Sequence, residues 1–350
     1  MSSFHILSIK KVTPETRNSV SITFNIPNSL KDRFTFVPGQ YITVQKELNG
    51  TEIRRDYSIC SSLNSDEIKI GVKAVAGGIF SQFATTKLKA GDELAITIPQ
   101  GRFNLNPDSN NAKNYMAFAA GSGITPILSM ITSVLEIEQR STFILIYGNK
   151  TVNDVMFRDD IDALISTYKD RFDVHYIFSK SSHDAHLSGR IDASVVDKMM
   201  STYKGTEFAD YYLCGPEAMI NVVKETVVKT GVDTNNIHFE LFTTSTEISP
   251  EESESLEGES EVTILLDDEE ETFIMSRKST ILEQALLKGV DAPYSCQGGI
   301  CSSCLAKVTE GKATMDKNSI LSDEEVNEGL ILTCQAHPTT TKITVDYDDV

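Results

Sequence analysis

The spacing of hydrophobic and polar positions changes twice along the chain. Up to about residue 108 the apolar residues fall in short runs closed by turn signals, such as Tyr41-Ile-Thr-Val44 after Pro38-Gly39 and Leu94-Ala-Ile-Thr-Ile98 after Gly91-Asp92. Short strands at this spacing predict an antiparallel β-barrel. From Asn114 the apolar run Tyr115 to Ala120 meets a Gly-rich turn, and Ile127 to Ile137 then carries apolar residues at helical spacing. The strand-like runs Phe143 to Tyr147, Val174 to Phe178 and Tyr211 to Cys214 follow with helical stretches between them, which predicts a parallel sheet covered by helices.

A second change comes at residues 244–260, which are rich in Ser and Glu, hold one Pro and are almost free of apolar residues. Such a stretch cannot bury enough surface to offset its ordering entropy and predicts a solvated linker. Beyond it, Glu261 to Leu266 reads as a strand, and Thr280-Ile-Leu-Glu283 reads as a capping box opening a helix from Ile281 to Lys288, stopped by Gly289. The expected organisation is thus a barrel over 1–110, an α/β domain over 111–243, the linker, and a small α+β domain over 261–350. A length of 350 residues with 40% hydrophobic content supports several cores. The sequence shows no internal repeat.

Charge sharpens this division. Residues 244–350 hold 23 of the 50 acidic residues and only 7 of the 32 basic ones, leaving the first 243 residues near neutrality. So acidic a segment is a poor match for nucleic acid and is drawn to a basic protein surface, or serves solubility alone. The first residues lack the charged, apolar and small succession of a secretory signal, and no apolar run approaches the ~18 residues that span a bilayer. The expectation is a cytoplasmic protein without a membrane partner. Six cysteines in a reducing compartment point to metal or redox chemistry rather than to disulfides.

Four of those cysteines are spaced Cys296-x4-Cys301-x2-Cys304 with a further 29 residues to Cys334. This is the plant-type pattern of four thiolates around a [2Fe-2S] cluster. A zinc site also takes four thiolates but draws them as two close pairs, whereas here three come from one tight loop. The intervening Gln297-Gly298-Gly299-Ile300 and Ser302-Ser303 are small or flexible, which lets backbone N-H groups approach the negative cluster; Gly298 and Gly299 are the positions least tolerant of a side chain.

Two earlier segments carry the chemistry a flavin needs. Arg55-Asp56-Tyr57-Ser58 offers a cation, an aromatic platform and a hydroxyl, and Gly77-Gly78-Ile79-Phe80-Ser81 opens a turn whose free N-H groups suit a pyrophosphate. Each alone also reads as a chance tetrapeptide or a simple turn. Gly121-Ser122-Gly123-Ile124-Thr125-Pro126 stands between a strand and a helix, where its glycines admit a nucleotide pyrophosphate to the helix dipole. The sixth position is Pro126 rather than Gly, so this is no ordinary dinucleotide fingerprint, and a plain strand-to-helix turn is the alternative. Cys214-Gly215-Pro216 follows at the end of a later strand.

In this order the motifs resemble the ferredoxin-NADP reductase superfamily, with a C-terminal plant-type ferredoxin domain, over nearly the whole chain. The resemblance implies a barrel FAD domain, an α/β nicotinamide domain and a β-grasp ferredoxin domain. It implies that Arg55 contacts the FAD phosphates, Tyr57 stacks on the isoalloxazine, Ser58 hydrogen-bonds near N5, and Gly78, Phe80 and Ser81 hold the pyrophosphate, with Arg54 and Lys73 as supporting cations. It further implies that Gly121, Gly123 and Thr125, with Cys214, Gly215 and Pro216, form the nicotinamide pocket, Cys214 shaping it without ionising. Ser179-Lys180 resembles the Ser-Arg pair that reads the 2'-phosphate of NADPH, with Lys in place of Arg, so NADPH is expected over NADH. Glu240-Leu241-Phe242 resembles a segment that approaches the flavin, where a partly buried carboxylate serves proton transfer; an edge-strand Glu is the alternative.

A ferredoxin domain placed last resembles the reductase components of multicomponent oxygenases. The segments Arg54 to Ser62, Gly77 to Ser81 and Leu187-Ser188-Gly189-Arg190-Ile191-Asp192 look closest to the reductase-subunit family of phenylacetyl-CoA epoxidase, which implies a di-iron oxygenase as acceptor. The expected order is NADPH, FAD, [2Fe-2S], oxygenase. The alternatives are another acceptor, such as a hydroxylase, desaturase or haem oxygenase, and a cluster-based redox sensor without catalysis. His183 and His186 read as surface residues, Cys60 as barrel interior, and Met199-Met200 as helix packing.

Overall fold

The computed structural model describes residues 4–180, 187–243 and 256–350. Ser181, Ser182, His183, Asp184, His186 and most of the expected linker lie outside the described residues. The chain divides into two compact units, one over Phe4–Thr243 and one over the C-terminal part.

The first unit opens with β1 (His5–Thr16), β2 (Ser19–Phe24), β3 (Tyr41–Leu48), β4 (Thr51–Ser58), β5 (Lys69–Lys73), the helix α1 (Ile79–Thr86) and β6 (Glu93–Ile96). The strand order is β4-β3-β6-β1-β2-β5, antiparallel throughout. Irregular register in β1 after Ile9 and after Pro14 bends that strand, so that its first residues pair with β6 and the rest with β2. The two end strands meet where Ile59, just past β4, bridges to Ile70 of β5. Ile22, Ile42, Val44, Ile70, Val72, Ile96 and Phe80 fill the interior. β6 stops at Ile96, short of the expected Ile98, because Thr97 turns its hydroxyl to accept the Thr43 N-H at 2.9 Å.

The α/β part follows: β7 (Asn114–Ala120), α2 (Ile124–Ile137), β8 (Thr142–Asn149), α3 (Arg158–Thr167), β9 (Phe172–Phe178), β10 (Leu187–Ser188), α4 (Ala193–Thr202), β11 (Asp210–Pro216), α5 (Glu217–Lys229) and β12 (Ile237–Thr243). All six strands are parallel in the order β10-β9-β8-β7-β11-β12. After β7 the chain builds outward on one side and then returns to the other, so the order reverses between β7 and β11. A crevice opens at such a switch point, outside the carboxyl ends of the strands.

α2 begins at Ile124, three residues before the expected start. Pro126 falls in its first turn, where backbone N-H groups have no helical partner to lose. The helix is apolar nearly all round because it is covered on both sides: Ile127, Ile131 and Val134 join a core with the sheet and with Cys60, Phe103 and Leu105. Each such aliphatic side chain contributes about 1.5–3 kcal/mol of burial. Ser129 Oγ donates to Ser61 O at 2.6 Å, and Leu63 N donates to Ser133 Oγ at 3.2 Å, fastening α2 to the barrel. Cys60 therefore packs on α2, not in the expected barrel interior, and its thiol faces Lys69 O at 3.2 Å. The carboxylate of buried Glu138, just past α2, accepts from Asp108 N, Asn111 Nδ2 and Tyr115 Oη, which ties the loop before β7 to the far end of the helix. Met199 is buried on α4, as helix packing requires.

The second unit holds β13 (Glu259–Leu266), β14 (Glu269–Ser276), α6 (Ile281–Leu287), β15 (Leu305–Glu310), β16 (Ala313–Met315), α7 (Asp323–Asn327), β17 (Leu330–Leu332), β18 (Ala336–Pro338) and β19 (Lys342–Asp346). Its main sheet runs β14-β13-β19-β15-β17 with β13 and β19 parallel, and Ile281, Leu282 and Ala285 of α6 pack into its core, the β-grasp arrangement. Thr280 caps α6 by accepting Glu283 N at 3.3 Å, and Gly289, at φ +88°, ends it as expected. β13 starts two residues inside the expected linker because Ser260 is buried, donating to Thr340 O at 2.6 Å. Among the described residues no helix is long and apolar enough to cross a membrane.

Candidate functional site

At the mouth of the barrel, Arg55 and Tyr57 lie two apart on β4 and so share a face, with Arg55 exposed and Tyr57 half-buried. The Tyr57 ring rests on Phe80 at 5.6 Å between centroids, and burial pushes its phenol up, so it stays protonated. Phe80 itself is in the barrel core, which leaves its backbone, not its ring, available at the start of α1. The turn before α1 is tight: a Cβ on Gly78 would stand 2.4 Å from Ser81 Oγ and 2.5 Å from Val75 Cγ2. Ser81 Oγ accepts from Val75 N and donates to Gly78 O, both at 3.3 Å, and so holds that turn. Arg54 departs from its expected place as a supporting cation. It is buried, donates from Nε to Glu52 Oε1 at 2.9 Å and lies over the Phe4 ring.

The nucleotide turn sits in the crevice at the switch point. Gly121 takes φ +57°, and its carbonyl accepts Tyr147 Oη at 2.9 Å. Gly123 is pressed against β11, where a Cβ would lie 2.2 Å from Cys214 O. Thr125 donates to Ser122 O at 3.0 Å, while its methyl would meet a Cβ on Gly71 of β5 at 2.6 Å, so this turn touches the barrel as well. Lys73 brings its Nζ to 3.5 Å from the Cβ position of Gly121. Its pKa is lowered by burial and by nearby Lys150, with Asp154 opposing. Lys150 follows Asn149, whose buried side chain stands at the carboxyl end of β8. Neither residue belongs to a motif visible in the sequence; the signal that could find them is their position at the carboxyl end of a central parallel strand. Ser179 and Lys180 are exposed and bond through their backbone N-H groups to the carbonyls of Asn149 and Lys150.

These two clusters meet. Ser58 Oγ donates to Glu240 Oε2 at 3.2 Å, although the residues are 182 apart in sequence. Glu240 on β12 stands opposite Cys214 on β11, and Cys214 opposite Ala119 on β7. Burial, with a smaller contribution from Asp56, pushes the Glu240 carboxyl up to about 8, against the opposing pull of the Ser58 hydrogen bond. Burial and the neighbouring Glu240 push the Cys214 thiol well up, so it remains a thiol. The site can thus hold a proton at Glu240 beside a hydroxyl, next to glycine turns suited to anions. A flavin and a nicotinamide nucleotide fit such a donor set: an aromatic platform, backbone cradles that a Cβ would fill, and cations at the rim.

In the second unit the four cysteines come together. Cys301 Sγ donates to Cys296 Sγ at 3.0 Å, and Gly298 N approaches Cys296 Sγ at 3.3 Å. Cys304 and Cys334 are buried. Hydrogen bonds from Cys301 and then Cys334 lower the Cys296 pKa, and a hydrogen bond from Cys334 lowers that of Cys304. Among the described residues no three His, Cys, Asp or Glu side chains converge as ligands of a single ion. A two-iron cluster takes its thiolates two to an iron, and this donor set, with N-H groups aimed at sulfur, fits it. Gln297 at φ +51° and Gly299 at φ +69° turn the loop; a Cβ on Gly299 would stand 2.7 Å from Lys317 O.

Comparison with known proteins agrees with this layout. Residues 6–105 match the oxidoreductase FAD-binding domain, 118–225 the oxidoreductase NAD-binding domain and 264–339 the 2Fe-2S iron-sulfur cluster binding domain. The chain is 37% identical to one of the subunits of the 1,2-phenylacetyl-CoA epoxidase of Escherichia coli (strain K12), covering 99% of each. It is 30% identical to the ferredoxin reductase component of 3-ketosteroid-9-alpha-monooxygenase of Rhodococcus rhodochrous, covering 98% of this chain and 96% of the other. Among solved structures, phthalate dioxygenase reductase shares the fold with a TM-score of 0.59 at 23% identity, over 98% of each chain. The chain belongs to the ferredoxin-reductase-type oxidoreductases that join FAD-binding, NAD-binding and plant-type 2Fe-2S domains.

Proposed function

We propose that this chain is an NADPH-dependent reductase that passes electrons through FAD to a [2Fe-2S] cluster on Cys296, Cys301, Cys304 and Cys334, and from there to a di-iron oxygenase of the phenylacetyl-CoA epoxidase type. The observation that carries the reading is the meeting of Ser58, Glu240 and Cys214, which puts the barrel motif and the nucleotide turn at one place. Bound flavin supplies the conversion of a two-electron hydride into single electrons.

The residues divide the work by chemistry. Tyr57 offers its ring as the platform, while Arg55 and the N-H groups of Phe80 and Ser81 hold the flavin diphosphate, with Gly78 leaving room for it at the start of α1. Gly121, Gly123 and Thr125, with Cys214-Gly215-Pro216, shape the nicotinamide pocket, Cys214 as a neutral wall. Lys73 and Lys150 place positive charge beside the turn. Ser179 and Lys180 recognise the 2'-phosphate, favouring NADPH. Glu240 holds a proton next to Ser58 at the flavin's reactive edge. The domains assigned to these tasks are 1–110, 111–243 and, after the acidic linker, 261–350. We place the protein in the cytoplasm, where its thiols stay reduced, and its acidic ferredoxin domain against a basic patch on the oxygenase.

The test is an anaerobic absorption titration of the purified protein with NADPH and, separately, NADH, followed by co-purification with its acceptor. Flavin bleaching and then cluster reduction, with NADPH effective at lower concentration, is the expected result. Colourless protein, or zinc without iron, would sink the cluster assignment; an NADH preference would overturn the roles of Ser179 and Lys180. A second reading keeps the electron path and changes the acceptor, since relatives at 30% and 27% identity serve a ketosteroid monooxygenase and a glycine betaine monooxygenase. Capture of an oxygenase other than the epoxidase type would establish it.

A further inference from the structure

Strand β5 turns one face to the seam between the barrel and the α/β part, and on it Lys69, Gly71 and Lys73 follow one another two apart. Lys73 meets the turn at Gly121. Gly71 is where the two parts stand closest: a Cβ there would lie 2.6 Å from Thr125 Cγ2 and 3.0 Å from Phe157 Cζ. A glycine inside a strand marks such a close approach. Thr125 and Phe157 thus seat side by side on one bare stretch of barrel backbone. Lys69 completes the row, its Nζ 5.9 Å from the centre of the Phe157 ring and 3.6 Å from Asp160 Oδ2.

Phe157 is held there in a strained conformation. It is 1% exposed and takes φ +56° just before α3, in the left-handed region that a bulky side chain rarely adopts. Strain of this kind persists only where the surroundings over-determine it. Here the Phe157 backbone N-H donates to Glu15 Oε2 at 3.2 Å, across 142 residues of sequence, and the Ser21 hydroxyl bonds the same carboxyl. Glu15 is half-buried near the end of β1 and borders a polar cavity of about 360 Å³, lined also by Lys10, Ser21, Lys69 and Arg158. Removing its carboxyl therefore opens no hole in a packed core; it removes the anchor of the Phe157 backbone.

From this geometry we propose that Phe157 is a positioning residue for hydride transfer: wedged on Gly71 beside Thr125 and latched by Glu15, it sets how closely the nucleotide turn approaches the barrel that carries the flavin. The proposal rests on the flavin and nicotinamide reading made above and adds to it two residues that belong to neither motif. The latch acts on placement, so its loss should slow the step in which the two rings must meet and leave the binding of each cofactor nearly as it was.

Single-turnover reduction of the flavin by NADPH in the full-length, FAD-loaded protein tests this. Glu15→Ala should slow reduction at saturating NADPH about tenfold, with the KM and the flavin content little changed. Glu15→Gln, which keeps an oxygen to accept the Phe157 N-H, should restore most of the rate. Phe157→Leu, which keeps the latch and loses the ring, should be slow as well, and the double variant Glu15→Ala with Phe157→Leu no slower than the worse single one, because both act through one contact. Wild-type reduction rates in Glu15→Ala and Phe157→Leu overturn the proposal, and so does a raised KM with an unchanged limiting rate. Hydrogen exchange of the 121–125 amides, measured without nucleotide, gives the second arm: faster exchange in Glu15→Ala and wild-type exchange in Glu15→Gln are expected, and equal exchange in all three proteins contradicts the latch. Should neither NADPH nor NADH reduce the wild-type flavin, the functional reading fails, while the exchange rates still report whether Glu15 governs the turn.

Discussion

Gly123 and Cys214 are so closely packed that a methyl group on the first would stand 2.2 Å from the carbonyl oxygen of the second. No side-chain movement relieves such a clash, because the obstacle is backbone. Gly123→Ala must therefore push the nucleotide turn away from β11. Displacements of about 1 Å at a reacting centre cost on the order of a hundredfold in rate. The expected result is a fall of about that size in kcat/KM for NADPH-driven ferricyanide reduction, with flavin content unchanged.

Glu240 makes the pH dependence specific. Its carboxyl holds a proton up to about pH 8 in the folded chain, whereas an unfolded Glu releases it near 4.5. Between those values the folded state binds the extra proton, so this group makes the protein less stable as pH rises through that window. Glu240→Gln, which cannot titrate, should flatten that part of the melting temperature against pH. The same variant should lose the alkaline limb of flavin reduction near pH 8, where ionisation sets a negative charge beside the flavin edge. A limb unchanged in Glu240→Gln would assign it to another group.

The four thiolates predict a separation of two activities. Cys334→Ser removes one of the four proposed ligands, a buried thiol, and the protein should lose its iron, its cluster absorption and reduction of one-electron protein acceptors such as cytochrome c. Ferricyanide reduction, which draws on the flavin, should persist at a similar rate. Loss of both activities together would instead signal a global failure of the fold, which circular dichroism would report.

Lys180 is exposed at the carboxyl end of a parallel strand, with its backbone joined to Lys150. Lys180→Ala should raise the KM for NADPH about tenfold, equivalent to ~1.4 kcal/mol, and leave that for NADH nearly unchanged. Equal effects on both nucleotides would move the 2'-phosphate contact elsewhere, with Lys150 the next residue to substitute.

Much of the architecture is legible in the sequence because period and punctuation are local. Pro38-Gly39 marks a real turn: Gly39 takes φ +102° and faces Phe103 O so closely that no Cβ fits. Thr280 and Gly289 likewise bound a helix by their own chemistry. What local reading misses depends on distant partners. Cys60 follows a barrel strand and looks like barrel interior, but α2 arrives to cover it from more than sixty residues away in the chain. Lys73 belongs to a barrel strand, and only the fold shows that the turn at Gly121 comes to meet it. Arg54 and Arg55 are indistinguishable as letters; the alternation of β4 decides that one turns to Glu52 and the other to solvent. Asn149 and Lys150 form no recognised motif and stand out only once the sheet sets them at the rim of the crevice.

The double cover of α2 has a consequence for how the first unit comes apart. Ser61, Leu63, Ser129 and Ser133 bind the barrel to a helix whose other face belongs to the parallel sheet. Neither half can melt without stripping that helix, so the barrel and the sheet should unfold in one cooperative transition, as a single thermodynamic body, rather than in two steps.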